Sequence, residues 1–140
     1  MIEELTIFLL CFDTGLLVLI WLVQLVVYPS LERYNTANLK SWHPTYSKRV
    51  SIVVLPLMLG QLAINSYMLF LDPNMVYALH FLFIMIAWSI TFLKAVPLHN
   101  SLQDSSQPNQ IAHKLTRINW YRTIAWSVTW LMMMYYYFSK

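Results

Sequence analysis

Apolar residues fall into four long runs along the chain, at about 5–27, 50–71, 75–95 and 115–138, and polar segments separate the runs. A helix of about 20 apolar residues crosses the hydrocarbon core of a bilayer, which is about 30 Å thick. The pattern therefore predicts an all-α polytopic membrane protein in which four transmembrane helices form one bundle. Residues 1–140 are expected to form a single transmembrane domain, because the sequence shows no internal repeat and no second domain.

Prolines indicate where these helices end. Proline disfavours helix in the residue before it, so the first helix is expected to end at Tyr28-Pro29. Pro97 is expected to stop or kink the end of the third helix. The segment Asp72-Pro73-Asn74 is typical of a tight turn, and such a short link makes the second and third helices antiparallel neighbours.

Two longer polar segments lie between the apolar runs. Residues 31–49 are mixed in character and are predicted to be partly helical at the membrane surface. Residues 101–109 are rich in Ser, Gln, Asn and Asp, which predicts a solvated loop. Pro108 suits a first helical turn, so the fourth helix is expected to begin near it and to run to about Phe138.

Composition supports a membrane protein and narrows the chemistry. The chain is 59% hydrophobic and 11% charged, with a mean hydropathy of +0.53, whereas soluble domains carry about 25% charged residues. The single cysteine, Cys11, excludes an internal disulfide and a Cys-rich metal site. The lipid bilayer is the expected partner, nucleic acid is not, and the sequence leaves the oligomeric state open.

The basic residues predict the orientation. Eight of the nine Lys and Arg residues lie either between the first two apolar runs or between the end of the third and the start of the fourth. Lys and Arg in short loops favour the cytoplasmic side. Both basic segments are therefore expected on the cytoplasmic side, with both termini on the outer side of the membrane.

Three polar residues are predicted to share one depth in the outer half of the bundle. Asp13, Asn65 and His80 lie on the first, second and third helices, and an isolated charge at that depth costs a few kcal/mol. We expect Asp13 to contact Asn65 or His80. The cluster either packs the helices through hydrogen bonds or has a proton-handling or cofactor role.

A second set of polar residues is predicted to converge at the cytoplasmic boundary. Asn119, Arg122 and Trp126 share one face of the fourth helix by their spacing. Histidine titrates nearest neutral pH and suits a general base or a ligand, and arginine suits an enolate or phenolate oxygen. The predicted catalytic residues are His43, Tyr46, His99, Asn119 and Arg122, and the predicted substrate-binding residues are Gln24, Tyr28, Gln61 and Trp126.

The sequence leaves the cofactor open. His43, His99 and His80 are the candidate ligands for a metal ion or haem. Arg122 and the tryptophans have a simpler interpretation as lipid-headgroup anchors and an interfacial aromatic belt. His113 is expected to be a solvated residue on the protruding start of the fourth helix.

Five short motifs carry a resemblance to known families. They are Gln24-x-x-x-Tyr28-Pro29, His43-x-x-Tyr46, Pro56-x-Met58-x-x-Gln61, Val96-Pro97-Leu98-His99-x-x-Leu102 and Asn119-Trp120-x-Arg122-Thr123-x-x-Trp126. Together they resemble a family of small four-helix bacterial membrane proteins of unknown function, which implies the inner membrane of a bacterium as the location. The second half is also similar to the anthrone oxygenase-like family. A fainter similarity, through Leu79-His80 and Pro56-x-Met58, is to the four-helix protoporphyrinogen oxidases, which implies haem.

Three classes of function follow as expectations. The first is a membrane oxidoreductase acting on a hydrophobic aromatic or quinone-like substrate at the cytoplasmic boundary. The second is a binding or assembly module without chemistry, whose polar residues serve packing. The third is a haem-binding or metal-binding four-helix protein.

Overall fold

The computed structural model describes residues 1–139, and over those residues the protein is all-helical, with no strand. Four long helices follow one another: α1 (Ile2–Leu31), α2 (Thr36–Leu71), α3 (Met75–Asp104) and α4 (Pro108–Phe138). Only three or four residues link each helix to the next, at 32–35, 72–74 and 105–107. The helices therefore alternate in direction, and the predicted turn at 72–74 is confirmed.

A π-helical turn precedes a proline in both α1 and α3. The turns are Val23–Val27, before Tyr28-Pro29, and Thr91–Ala95, before Val96-Pro97. Proline has no N–H for the carbonyl four residues back, and its ring clashes with that carbonyl. In each turn the N–H of the residue before the proline reaches the carbonyl five residues back, so one extra residue is accommodated. The helix continues past the proline instead of ending there.

This local geometry corrects three expectations. Pro29 does not end the first helix, which runs on to Leu31, and Pro97 does not stop the third, which runs on to Asp104. Residues 101–104 are consequently helical and not part of a solvated loop. The extension is stabilised because Leu102 is fully buried between the helix ends, next to Leu39 and Leu115.

The start of the second helix also differs from the expectation. The polar stretch before residue 50 is helical from Thr36 onward, so α2, with 36 residues, is about four turns longer than a minimal transmembrane helix requires. Its first turn is capped by the Asn35 side chain, which accepts a hydrogen bond from the N–H of Asn38 at 2.8 Å. In this way His43 belongs to a continuous helix and not to a surface loop.

Three of the four helices, α1, α2 and α3, are long and apolar enough to cross a membrane. The fourth is as long, with 31 residues from Pro108 to Phe138, but it carries more polar side chains. Many of those polar side chains are buried inside the bundle, including Asn119, Arg122 and Thr129. The outer surface of the bundle also carries large apolar residues, such as Phe70, which is 82% exposed.

The bundle is built from alternating apolar and polar layers. Helix α4 packs against α1 and α3, and α2 packs against α1 and α3. Apolar layers centre on Leu9 and Met133 at one end, Leu16 and Ala125 in the middle, and Leu115 at the other end. The two polar layers between them hold the candidate functional residues.

A close contact between α1 and α2 gives a test of this packing. A Cβ atom on Gly60 would overlap the ring of Phe12, whereas a Cβ on Gly15 would lie 3.1 Å from a methyl group of Leu57. Alanine is about 1 kcal/mol more favourable than glycine inside a helix. We expect Gly60→Ala to lower the melting temperature in detergent despite that gain, and Gly15→Ala to leave it nearly unchanged. Equal melting temperatures for the two variants would contradict the contact.

Candidate functional site

One polar layer is a closed hydrogen-bonded network around Asp13, here called the Asp13 network, formed by Asp13, Gln61, Asn65 and His80. The two carboxylate oxygens of Asp13 meet Gln61 Nε2 at 2.6 Å and His80 Nε2 at 3.0 Å. The other nitrogen of His80 lies 3.1 Å from Asn65 Oδ1. All four side chains are fully buried. The predicted contact of Asp13 with His80 is confirmed.

The partners of the Asp13 network fix where its protons lie. Asn65 Nδ2 donates to the carbonyl oxygen of Tyr77, so Asn65 Oδ1 faces His80 and the Nδ1 of His80 must carry a proton. A single further proton then lies between His80 Nε2 and Asp13 Oδ2. Whether that proton sits on the imidazole or on the carboxyl group, the pair is neutral overall. The network can therefore be buried without a net charge.

The same bonds decide what His80 can ligate. Both of its ring nitrogens are engaged, one by Asp13 and one by Asn65. A haem iron or metal ion would have to displace one of these partners. The geometry therefore favours the packing role of this cluster over the role of His80 as a cofactor ligand.

The other polar layer lies toward the helix ends at 31 and 104 and is called the His99 site, formed by Tyr28, His43, His99 and Arg122. The rings of His43 and His99 stack with centroids 5.0 Å apart, and His43 Nε2 lies 2.7 Å from His99 Nδ1. The opposite nitrogen of His99 lies 3.0 Å from the hydroxyl of Tyr28. Three helices thus contribute one ring each to a single chain of contacts.

Both π-helical turns contribute to this convergence. Each inserts one residue into its helix, which turns the following side chains by about 100° around the axis. Tyr28 directly follows the turn in α1, and His99 lies four residues after the turn in α3. Irregular turns of this kind are frequent at functional sites.

Arg122 is the cation of the site. Its Nη1 donates to Asn119 Oδ1 at 3.0 Å, and Asn119 in turn donates to Gln24 Oε1 at 3.0 Å. Its guanidinium carbon lies 5.1 Å from the centre of the Trp126 ring and also neighbours the Tyr28 hydroxyl. These contacts hold the side chain in one orientation.

The positive charge of Arg122 is buried without a counter-ion. The side chain is 7% exposed and its Nε has no hydrogen-bond partner. Among residues 1–139 no carboxylate forms an ion pair with Arg122. Burying an unpaired charge is costly, so this guanidinium is suited to an anionic or strongly polar oxygen atom of a ligand.

A cavity of about 210 Å³ lies between the four helices next to Arg122. Its polar end is formed by Tyr28, Tyr46, His99 and Arg122, and Trp126 forms one wall. The remaining wall is apolar and consists mainly of Leu16, Leu19, Ile20, Val23, Val50 and Val54. A mostly apolar cleft with a few converging polar groups is the usual form of a small-molecule site.

Trp126 connects the two polar layers. One face of its ring supports Arg122, while its Nε1–H donates to Gln61 Oε1 at 3.2 Å. Gln61 is the residue that binds Asp13. The wall of the cavity is therefore bonded directly to the Asp13 network.

The structure separates the predicted site residues into three groups. Tyr28, Tyr46, His99, Arg122 and Trp126 line the cavity, as a shared site requires. His43, Gln24 and Asn119 lie behind that lining and position His99 or Arg122. Gln61, predicted to contact a substrate, does not line the cavity and belongs to the Asp13 network.

Some lining residues were missed by the sequence analysis. Ser47, Ser51 and Thr91 also line the cavity. Ser47 and Ser51 follow His43 at steps of four residues, which is the signal for one helical face. This spacing places the three residues on one face only if the segment is helical, which the sequence did not establish. His113 is exposed as predicted, although its ring also lies 3.3 Å from a carboxylate oxygen of Glu32.

No protein-family model, curated protein or solved structure matches this chain. The geometry of the His99 site and the Asp13 network is consequently the basis on which a function is assigned.

The Asp13 network predicts a loss of stability on removal of its carboxylate. Asp13→Leu leaves Gln61 Nε2 and His80 Nε2 buried without partners, at about 1–3 kcal/mol for each group. We expect a fall in melting temperature of about 5 °C or more in detergent. Glu3→Leu, at an exposed residue of the same helix, is the control and should have little effect. An unchanged melting temperature for Asp13→Leu would show that the network does not stabilise the bundle.

Proposed function

We propose that the protein is a bacterial inner-membrane protein in which all four helices cross the bilayer and both termini lie outside the cytoplasm. Helix α4 packs along α1 and α3 over its length, and its buried polar residues face the other helices instead of lipid. The low hydropathy of α4 thus comes from its inward face and from the exposed polar residues of its first turns, such as His113 and Lys114. The orientation follows from the two basic segments, which lie at one end of the bundle.

Labelling of single cysteines tests this topology. In a Cys11→Ser background, Ser106→Cys lies in the link between α3 and α4, and Met75→Cys lies at the opposite end of α3. We expect a membrane-impermeant maleimide added to intact spheroplasts to label Met75→Cys and not Ser106→Cys. Labelling of Ser106→Cys alone would reverse the orientation, and labelling of both from outside would contradict the four-span arrangement.

We propose further that the cavity binds a hydrophobic aromatic or quinone-like molecule and that the His99 site exchanges a proton with an oxygen atom of this ligand. The observation that carries this proposal is the buried Arg122 guanidinium, which lies at the cavity without a counter-ion. A ligand oxygen beside it would gain a charge-assisted hydrogen bond. The aromatic wall of Trp126 and the aliphatic wall opposite suit a flat apolar ring.

The size of the cavity fits such a ring. An engineered cavity of about 150 Å³ in another protein binds benzene, and this one measures about 210 Å³. There is room for one substituted aromatic ring at the polar end. An apolar tail would extend between the helices toward the lipid.

The hydrogen bonds of the site form a path for one proton. The hydroxyl oxygen of Tyr28 lies 3.0 Å from His99 Nε2, so the hydroxyl group can donate to that nitrogen. His99 then donates through Nδ1 to His43 Nε2. A ligand hydroxyl group can pass its proton to the Tyr28 oxygen while Tyr28 passes its own proton to His99 Nε2 and His99 releases the Nδ1 proton to His43.

This chemistry is the proton half of a quinone–quinol type of reaction. Each ligand oxygen gains or loses one proton, while the two electrons come from, or go to, a separate redox partner. The proposal thus places the protein among membrane oxidoreductases that act on hydrophobic aromatic or quinone-like substrates. The resemblance of its second half to the anthrone oxygenase-like family is in keeping with an aromatic substrate.

Binding of a short-tailed benzoquinol by the detergent-purified protein tests the proposal. We expect Arg122→Gln and His99→Ala each to weaken binding, measured by calorimetry, by about tenfold or more, because one charge-assisted hydrogen bond is worth about 1.5–3 kcal/mol. Lys48→Gln removes an exposed charge and is the control. Melting temperatures establish that each variant is folded.

Two outcomes would decide against this function. If folded Arg122→Gln and His99→Ala bind as the unaltered protein does, the His99 site does not hold the ligand. If the unaltered protein binds no quinone or aromatic compound, the packing or assembly module becomes the better interpretation of the polar residues.

A metal site at the stacked rings of His43 and His99 is the second candidate, and it would require their facing nitrogens, now at a hydrogen-bond distance of 2.7 Å, to separate. Imidazole suits zinc, copper, iron and nickel. However, no group of three His, Cys, Asp or Glu residues in the described part of the chain could hold an ion. Metal analysis of the purified protein and of His43→Ala separates the two: an equimolar metal that is lost in the variant would support this candidate.

A further inference from the structure

A second groove, distinct from the His99 site, lies on the outer surface between the end of α3 and the start of α4. It measures about 510 Å³. Three cations line it, Lys94 from α3 and Lys114 and Arg117 from α4. Leu93, Ile118 and Tyr121 supply an apolar side. Neither the His99 site nor the Asp13 network shares a residue with this groove.

The groove is strongly positive. No carboxylate is among its lining residues. None of its three cations takes part in an ion pair within the described chain. The nearby Glu32 is engaged elsewhere, by His113 and Thr116. Three positive charges without a carboxylate partner therefore line the same groove.

The groove also lies where lipid headgroups meet the hydrocarbon. The cations stand at the end of the apolar run 75–95 of α3 and just before the apolar part of α4. Leu93 is 70% exposed and Tyr121 is 65% exposed, and both continue the apolar outer surface of the bundle. A ligand of the groove would thus meet cations at one end and an apolar wall at the other.

Headgroup anchoring by scattered Lys and Arg accounts for basic residues at this depth, but not for their convergence. Here residues from two helices surround one groove, and Lys114, Arg117 and Tyr121 share a face of α4 by their spacing of three and four residues. Basic pockets between transmembrane helices are the known form of sites for anionic lipid headgroups.

We infer that this groove binds one anionic phospholipid, with the headgroup phosphate between Lys94, Lys114 and Arg117 and an acyl chain along Leu93 and Tyr121. The inference rests on the membrane location proposed above and not on the ligand of the His99 site. Inorganic phosphate shares the anionic chemistry, but it would leave the apolar side of the groove unused.

Lipid titration of the full-length protein in a neutral detergent tests this inference. We expect phosphatidylglycerol to raise the melting temperature, and phosphatidylcholine and inorganic phosphate to have little effect. The triple variant Lys94→Gln, Lys114→Gln, Arg117→Gln should need at least tenfold more phosphatidylglycerol for the same rise. Native mass spectrometry of the unaltered protein should retain one phosphatidylglycerol and no phosphatidylcholine.

A charge-matched variant separates the groove from general surface attraction. Arg33→Gln, Lys40→Gln, Lys48→Gln removes the same three charges from the other basic segment, and it should respond to phosphatidylglycerol as the unaltered protein does. An equal loss in both triple variants would overturn the groove as a specific site. Stabilisation by inorganic phosphate as strong as that by phosphatidylglycerol would overturn the lipid as its occupant. If the groove variant does not fold, retention of both lipids alike by the unaltered protein would overturn the inference.

Discussion

A carboxyl group in the middle of an apolar helix is the constraint on which much of this bundle depends. Asp13 cannot remain alone in an apolar interior without a cost of a few kcal/mol or more. Its oxygens are met by Gln61 of α2 and His80 of α3, and Gln61 accepts from Trp126 of α4. Because each of these bonds is directional, the four helices can satisfy the carboxyl group in few relative positions. The polar network therefore fixes a register that apolar packing alone would leave loose.

The two polar layers differ in how completely their buried polar groups are hydrogen-bonded and their charges paired. The Asp13 network is closed, since His80 uses both ring nitrogens and the Asp13–His80 pair is neutral overall. The His99 site keeps a buried cation, Arg122, whose Nε has no partner and which lies at a cavity. A closed neutral network is suited to holding helices together, whereas an unpaired charge at a cavity is suited to a ligand. Trp126 contacts both layers, so a ligand that moves this ring also disturbs the bond to Gln61.

The prolines of α1 and α3 serve this arrangement. In each helix the π-helical turn absorbs the proline and lets the helix continue, which carries Tyr28 and His99 beyond the apolar runs and toward each other. The same continuation brings Leu98 beside the start of α4, where it lines the basic groove together with Lys94 of the π-helical turn. The π-helical turns that accommodate the prolines thus contribute to both the His99 site and the surface groove.

The sequence by itself determined the helical class, the positions of the apolar runs, the turn at 72–74, the start of α4 near Pro108 and a contact of Asp13 with Asn65 or His80. These follow from run length, composition and depth, which are local or nearly local properties of the chain. Tertiary structure alone decided that the helices pass Pro29 and Pro97, that His43 lies in a helix, and that Gln61 serves Asp13 and not the cavity. The physical reason is that a proline or a polar segment has alternative local conformations of similar free energy, and burial of residues such as Leu102 selects among them. The convergence of His43 and His99 was predicted from topology, but their direct contact depends on ring orientations that only packing sets.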